Sequence, residues 1–307
     1  MFLIIISSII DKERIINLSL VLFVITFISL LLIPLIGVEV KGSKRWLDVG
    51  FLPRFQPIEL LKPFVIVSLG VFLNSNYINN KYFRYLFSFI LILPIIILLA
   101  LQPDIGQTIL IILVWISLIF ISGISLLILF LSFAVFGSII GYMIFSLPKF
   151  YYIKSRVLSF LNPSSGNSYQ SERASEAIIN GGLFGKGIGE GTLNSKIPEA
   201  HTDYIISVIS EEFGITVVIL IMITFLFLAY QVIKKIDEEE DLKIKLILLG
   251  CITLILLQTF IHIGVNIRIL PTTGMTLPFL SYGGSSIIST AIISGIILNF
   301  TKRKINN

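Results

Sequence analysis

IINLSLVLFVITFISLLLIPLIGV, residues 15–38, carries no charged side chain and is long enough to cross a bilayer as a helix. Such a helix rises about 1.5 Å per residue, so ~20 mostly apolar residues cover the hydrocarbon core. Seven more segments read the same way: roughly 57–76, 83–101, 105–122, 125–147, 208–233, 246–270 and 275–300. Residues 1–10 make a further apolar stretch that is too short to cross. Backbone polar groups in lipid must be satisfied within their own segment, which makes helices of all eight. The expected fold is an all-α polytopic membrane protein, a single domain over 1–307 with about eight full transmembrane helices. Pro34, Pro63, Pro94 and Pro278 fall inside these segments, where kinks or breaks braced by neighbouring helices are expected.

Composition points the same way. Of the 307 residues, 55% are hydrophobic and 13% charged, with mean hydropathy +0.97. Soluble domains carry about 25% charged residues. A net charge of +5 and a pI near 9.2 could suit nucleic acid. The basic residues sit instead in short clusters between apolar runs, with no aromatic-interleaved patch, so nucleic acid is not an expected partner. Cys251 is the single cysteine and lies in an apolar run, which excludes an intrachain disulfide and a cysteine-based metal site. Met1–Ile10 has no basic start and no small-residue cleavage site, so no cleavable signal peptide is expected.

Lysine and arginine in the connections set the orientation. Connections 11–14, 74–84, 122–124, 234–245 and 301–307 hold eleven basic residues in 37 positions. The opposite set, 39–56, 102–106, 148–204 and 265–274, also holds eleven, but over 90 positions. Density therefore puts the first set and the C-terminus in the cytoplasm. Lys44, Arg45 and Arg54 on the outer side then need a reason, and an anionic substrate supplies one. The acidic run Asp237–Asp241 beside Lys234 and Lys235 reads as a solvated cytoplasmic loop. Residues 148–204 form one large extracytoplasmic loop, polar and glycine-rich. Loops longer than about 15 residues are usually functional or disordered. Leu183, Phe184, Ile188 and Ile197 among its glycines suggest a folded loop resting on the helix bundle.

Four polar clusters reach that outer face. In GSKRWLDVGF and RFQPIELLK (42–62), Pro57 opens a helix, and Glu59 and Lys62 share one face at i, i+3. A helix-start charge pair is the bland reading; the pair also leads into an apolar helix, where idle charges would cost several kcal/mol. In QPDIG (102–106), Asp104 is either an N-cap or a functional carboxylate. The segment 169–214 holds GGLFGKGIGEG, which follows no strand and resembles a phosphate loop only loosely. It also holds His201 and Asp203 ahead of an apolar helix, with Glu211 and Glu212 further along. A partly desolvated carboxylate there suits a general base near neutral pH, and no spacing fits a fixed zinc site. LPTTGMTLPFLSYGGSS (270–286) reads either as close small-residue packing or as a broken helix lining a polar cavity. His262, alone on an apolar helix, reads as packed and hydrogen-bonded. Arg268 could snorkel or bind ligand.

Together KGSKRWLDVG, FQPIELLK, QPDIGQT, YQSERASEAIINGGLFGKGIGEGT, IPEAHTDYIISVISEEFG and LPTTGMTLPFLSYGGSS resemble the shape, elongation, division and sporulation family of cell-wall polymerases, in the family's order and over essentially the whole chain. KGSKRW, PEAHTD, SEEFG and LPTTGMTLPFLSYGGSS look more like its division branch than its elongation branch. The family has about ten spans. The resemblance therefore implies that this chain lacks the first span and most of the second, Met1–Ile10 being the remnant, as in a fragment or a wrongly chosen start.

The resemblance also implies the chemistry. The substrate would be lipid II, the undecaprenyl-pyrophosphate disaccharide-pentapeptide. It would be polymerised at the outer face of the bacterial cytoplasmic membrane, in septal wall synthesis. Asp203 would be the catalytic base. Glu59, Lys62, Asp104, His201 and Glu212 would line the cavity. Lys44, Arg45, Trp46, Gln56, Arg173, Ser281 and Ser285 would meet pyrophosphate or sugar. A magnesium or manganese ion fits as counter-ion without a dedicated metal site. A class B penicillin-binding protein and other divisome proteins would be partners. An elongation polymerase, a lipid II flippase and a division scaffold without chemistry are the rival readings.

Overall fold

The computed structural model describes residues 2–40, 43–50, 53–75, 78, 80–146, 151–161 and 169–302, and they fall into two compact units. The first comprises Met1–Leu129, Tyr230–Ile255 and Gly284–Asn307. It begins with α1 (Phe2–Ile9) and α2 (Lys12–Ile36), followed by strands β1 (Val38–Val40) and β2 (Ser43–Trp46). Helices α3 (Pro57–Leu73), α4 (Lys81–Leu101) and α5 (Ile105–Ile121) come next, and α12 (Gly284–Thr301) completes the unit. The ends of α10 (Ile215–Glu238) and α11 (Leu242–Asn266) also belong here.

Helix α3 is the interior of this unit: 14 of its 17 residues are buried. It packs on α2, α12, α4 and α5. Small residues bring the first half of α11 close to it. A β-carbon at Gly70 would stand 2.6 Å from Ile247 Cγ1, and one at Gly250 2.6 Å from Ile66 Cγ2. In contrast, α2 presents Leu18, Val21, Val24, Ile25 and Ile28 outward, an apolar surface suited to lipid rather than water. The short α1 lies on α12. Asn299 Nδ2 donates to the carbonyls of Ser7, Ser8 and Ile10 at 3.0, 3.0 and 2.6 Å, taking acceptors that the end of α1 leaves free. The acidic run is partly tied down: Glu239 pairs with Lys12 at 3.6 Å, and Lys235 with Glu238 at 2.5 Å.

The second unit comprises Phe130–Ala229 and Leu256–Gly283. It holds most of α6 (Leu126–Ser146), then α7 (Tyr151–Leu161), α8 (Tyr169–Gly181), a 3₁₀ turn at Asn194–Lys196 and α9 (Ile205–Phe213). Ala174, Ala177 and Gly181 are the buried residues of α8, which packs on α9.

Among the described residues, five helices are long and apolar enough to cross a membrane: α2, α4, α10, α11 and α12. Two expectations need correction. The span over 208–233 is two helices, because Gly214 lies between α9 and α10 with φ +83° and ψ 169°. Backbone pairing holds the break: Ile215 N–H donates to Gly182 O at 3.0 Å, Lys186 N–H to Glu211 O at 2.9 Å and Gly187 N–H to Glu212 O at 3.0 Å. The span over 275–300 is helical only from Gly284, since residues 267–283 form turns, bends and irregular backbone. Within 148–204 the described residues form α7, α8, the 3₁₀ turn and connecting turns, and 148–150 and 162–168 lie outside the described residues. Of Leu183, Phe184, Ile188 and Ile197, only Ile197 is buried; the other three are exposed. The prolines Pro34, Pro63 and Pro94 sit inside continuous helices, and Pro278 sits in the non-helical stretch. The β1–β2 hairpin, with Glu39 opposite Lys44, is an addition to the all-α expectation.

Gly214 offers a direct test of the helix break. Its φ/ψ region is open almost only to glycine, and a β-carbon there would meet Leu183 O. Gly214→Ala is expected to cost about 1–3 kcal/mol, seen as a lower melting temperature in detergent. An unchanged melt would show that the break is not held in this conformation.

Candidate functional site

Residues far apart in sequence converge in the first unit. Pro57 at the first position of α3 starts the helix where its missing N–H costs nothing. One turn on, Lys62 Nζ lies 2.7 Å from Glu59 Oε2, both side chains being almost fully buried. Gln107 of α5 donates from Nε2 to Glu59 Oε1 at 2.5 Å. Asp104, the residue ahead of α5, accepts from Gln107 N–H at 3.4 Å, from Gln56 Nε2 at 3.2 Å, and faces Arg45 Nη1 at 3.6 Å. Its cap role and its place in a charged network therefore coexist. Burial pushes the Asp104 carboxyl above the ordinary carboxylate range, against the pull of the Arg45 guanidinium. Arg45 also donates to Gln102 O at 3.1 Å and Pro103 O at 2.5 Å. Gln56 N–H donates to Ser285 Oγ at 2.9 Å, which brings in the start of α12.

The expected set thus divides. Arg45, Gln56, Glu59, Lys62, Asp104 and Ser285 form one network, and Gln107 is a member that sequence reasoning missed. Trp46, half-buried, ends β2. Lys44 is exposed on that hairpin. Arg54 is paired with Asp48 at 2.9 Å, and that hydrogen bond holds the exposed Asp48 carboxyl below its usual range. Lys41, Gly42, Phe51 and Leu52 of the same motif lie outside the described residues.

The second unit gathers the other cluster. Asp203 is half-buried in the turn ahead of α9. Its N–H donates to Glu199 O at 3.0 Å, and its carboxylate lies against Gly274, where a β-carbon would be 3.4 Å from Oδ2. The stretch 274–282 is stitched to this turn: Ser281 Oγ donates to Thr202 O at 2.6 Å, and Tyr282 N–H to His201 O at 2.9 Å. Ser281 Oγ also accepts from Leu277 N–H at 2.8 Å. The His201 side chain is exposed. His262 is buried, with Nδ1 2.7 Å from Met275 O, so this nitrogen carries the proton.

Glu211 is fully buried and serves the loop around it. It accepts from Asn180 Nδ2 at 2.9 Å, Leu193 N–H at 3.0 Å and Asn194 N–H at 2.9 Å. Glu212 accepts from Asn194 Nδ2 at 3.3 Å. The glycines of GGLFGKG bring their backbone against Ser210–Gly214, an internal approach rather than a phosphate cradle. Arg173 pairs with Glu176 at 2.6 Å along α8 and covers the Tyr169 ring. Arg268 faces Glu172 at 3.8 Å.

A model of the cell cycle proteins FtsW, RodA and SpoVE matches residues 1–306. The chain belongs to that family. A probable peptidoglycan glycosyltransferase FtsW of Caulobacter vibrioides is 33% identical over 277 residues, covering 89% of this chain and 69% of the relative. A chain of a peptidoglycan synthase complex that coordinates polymerization and crosslinking shares the fold with TM-score 0.81 at 25% identity, over 98% of this chain and 85% of that one. The rod shape determining protein RodA of Thermus thermophilus does so with TM-score 0.71 at 25% identity, over 100% of this chain and 85% of that one. This member of the family is an integral membrane protein.

Proposed function

We propose that this chain is a peptidoglycan glycosyltransferase of the FtsW type, which polymerises lipid II into glycan strands during septal wall synthesis. The observation that carries the reading is the buried Arg45, Asp104, Gln107, Glu59 and Lys62 network in an otherwise apolar helical unit. Charges at such depth are tolerated when they pair or line a wet cavity, and they mark substrate paths. Asp203 removes the proton from the acceptor sugar hydroxyl as that oxygen bonds to the donor's anomeric carbon. The bond from that carbon to the lipid pyrophosphate breaks, and the pyrophosphate leaves on its lipid. Lys62, with Arg45 and Lys44, meets phosphate. Among the described residues, no group of three or more histidine, cysteine, aspartate or glutamate side chains is placed to hold a metal ion. A magnesium or manganese ion would serve as counter-ion to the pyrophosphate.

The direct test is purified protein given lipid II in detergent. Glycan chains on a gel are the expected product. Lipid II translocation in vesicles without chains would make the protein a transporter instead. A class B penicillin-binding protein is the proposed partner, supported by the synthase complex that shares the fold.

The proposed bilayer arrangement has about eight spans, with Asp203 facing outward and residues 234–245 and the C-terminus in the cytoplasm. Basic-residue density supports it. In a Cys251→Ala background, a thiol probe that cannot cross the membrane is expected to label Ser165→Cys but not Asn307→Cys. Both positions lie outside the described residues. The reverse pattern would overturn the orientation.

A further inference from the structure

Asn266 ends α11 and is fully buried. Its carboxamide has two N–H donors and two acceptor lone pairs. All are engaged within the second unit. Nδ2 donates to Asp203 O at 3.2 Å and to His262 O at 2.8 Å. Oδ1 accepts from Ser207 N–H at 3.3 Å and from Ser207 Oγ at 2.8 Å. One side chain therefore joins the turn carrying Asp203, the first turn of α9 and the last turn of α11. The cap residue of α9, Tyr204, makes no side-chain capping bond. Ser207 N–H donates to Tyr204 O at 3.0 Å, and Asn266 adds a second acceptor from another helix at this helix start.

We propose that Asn266 is the positioning residue for Asp203, fixing the main chain from which the carboxylate projects. The inference rests on Asp203 being the general base. No near relative of asparagine can make these bonds. Aspartate would turn carboxylate oxygens toward two carbonyls. Alanine would remove all four bonds at once, leaving Ser207 N–H with its bond to Tyr204 O at 3.0 Å. Glutamine is a methylene too long for a core packed at crystal density. General-base catalysis demands hydrogen-bond reach to the proton being taken, and a misplacement of about 1 Å can cost 10²-fold in rate. Substrate affinity need not change, because Asn266 is fully buried.

The test uses the full chain purified in detergent, with lipid II polymerisation followed over a range of lipid II concentrations and thermal melting as a check on folding. Asn266→Asp is expected to lower kcat about 10²-fold, with KM for lipid II within about twofold. Added to Asp203→Asn, it should cost nothing further. Ser207→Ala removes one of the four bonds and should lower kcat about three- to tenfold at unchanged KM. If Asn266→Asp shows no melting transition, Ser207→Ala decides. A folded Asn266→Asp, or failing that Ser207→Ala, with the parental kcat or with its loss in KM alone, would overturn the positioning role while an inactive Asp203→Asn left the general base standing. An active Asp203→Asn would overturn the general base, and the positioning role with it.

Discussion

Asp203→Asn is expected to abolish glycan polymerisation while the protein still folds and enters the membrane. The carboxamide is nearly the same size as the carboxylate and lacks only its basicity. Asp203 is held by main-chain bonds, its N–H to Glu199 O and its carbonyl from Asn266, and these survive the change. The space beside Gly274 fits either side chain. What is lost is a proton acceptor in the transition state, worth about 10²–10⁴ in rate. Gel analysis of lipid II products, with membrane-fraction yield as control, reads both halves of the claim. A near-parental rate would place the general base elsewhere.

Local spacing made some of this legible. Pro57, Glu59 and Lys62 announce a helix start with two charges on one face, because i and i+3 are neighbours on any helix. Their partner Gln107 and the Arg45–Asp104 pair were not legible as a network, since nothing local says which helices meet. Apolar composition predicts residence in lipid but not helical continuity. Residues 208–233 are mostly apolar, yet Gly214 divides them through pairing with backbone at 182–187, outside any window on that segment. The last span shows the same limit. Pro278 and the small residues of 270–286 signalled a break, but its length, up to Gly284, depends on bonds to His201 and Thr202. Glu211 and Glu212 are a finer case. With α9 starting at Ile205, buried Ile206, Ser207 and Ser210 put Glu211 on the inner face, which only the true helix start reveals. Asn266 carries no charge and lies at the end of an apolar run, so a search for titratable groups passes over it.

The largest combined effect on stability and activity is expected at Lys62. Lys62→Met keeps most of the side-chain volume but leaves Glu59 buried without its cation, with Gln107 as its remaining bond. Breaking a buried ion pair from one side costs about 3–5 kcal/mol, so melting in detergent should fall sharply. Adding Glu59→Gln removes the stranded charge and should recover much of that loss, because buried pairs replaced on both sides are often nearly neutral. Activity should behave differently. If Lys62 meets phosphate, the double variant stays inactive although it melts near the parental temperature. Recovery of polymerisation along with stability would mean that the pair is only a helix-start brace. The same logic links Glu59 to Asp203. Residues acting as one catalytic unit lose activity non-additively, so Glu59→Gln on top of Asp203→Asn should be little worse than Asp203→Asn alone. Independent, multiplying losses would separate the α3 network from the reaction that Asp203 performs.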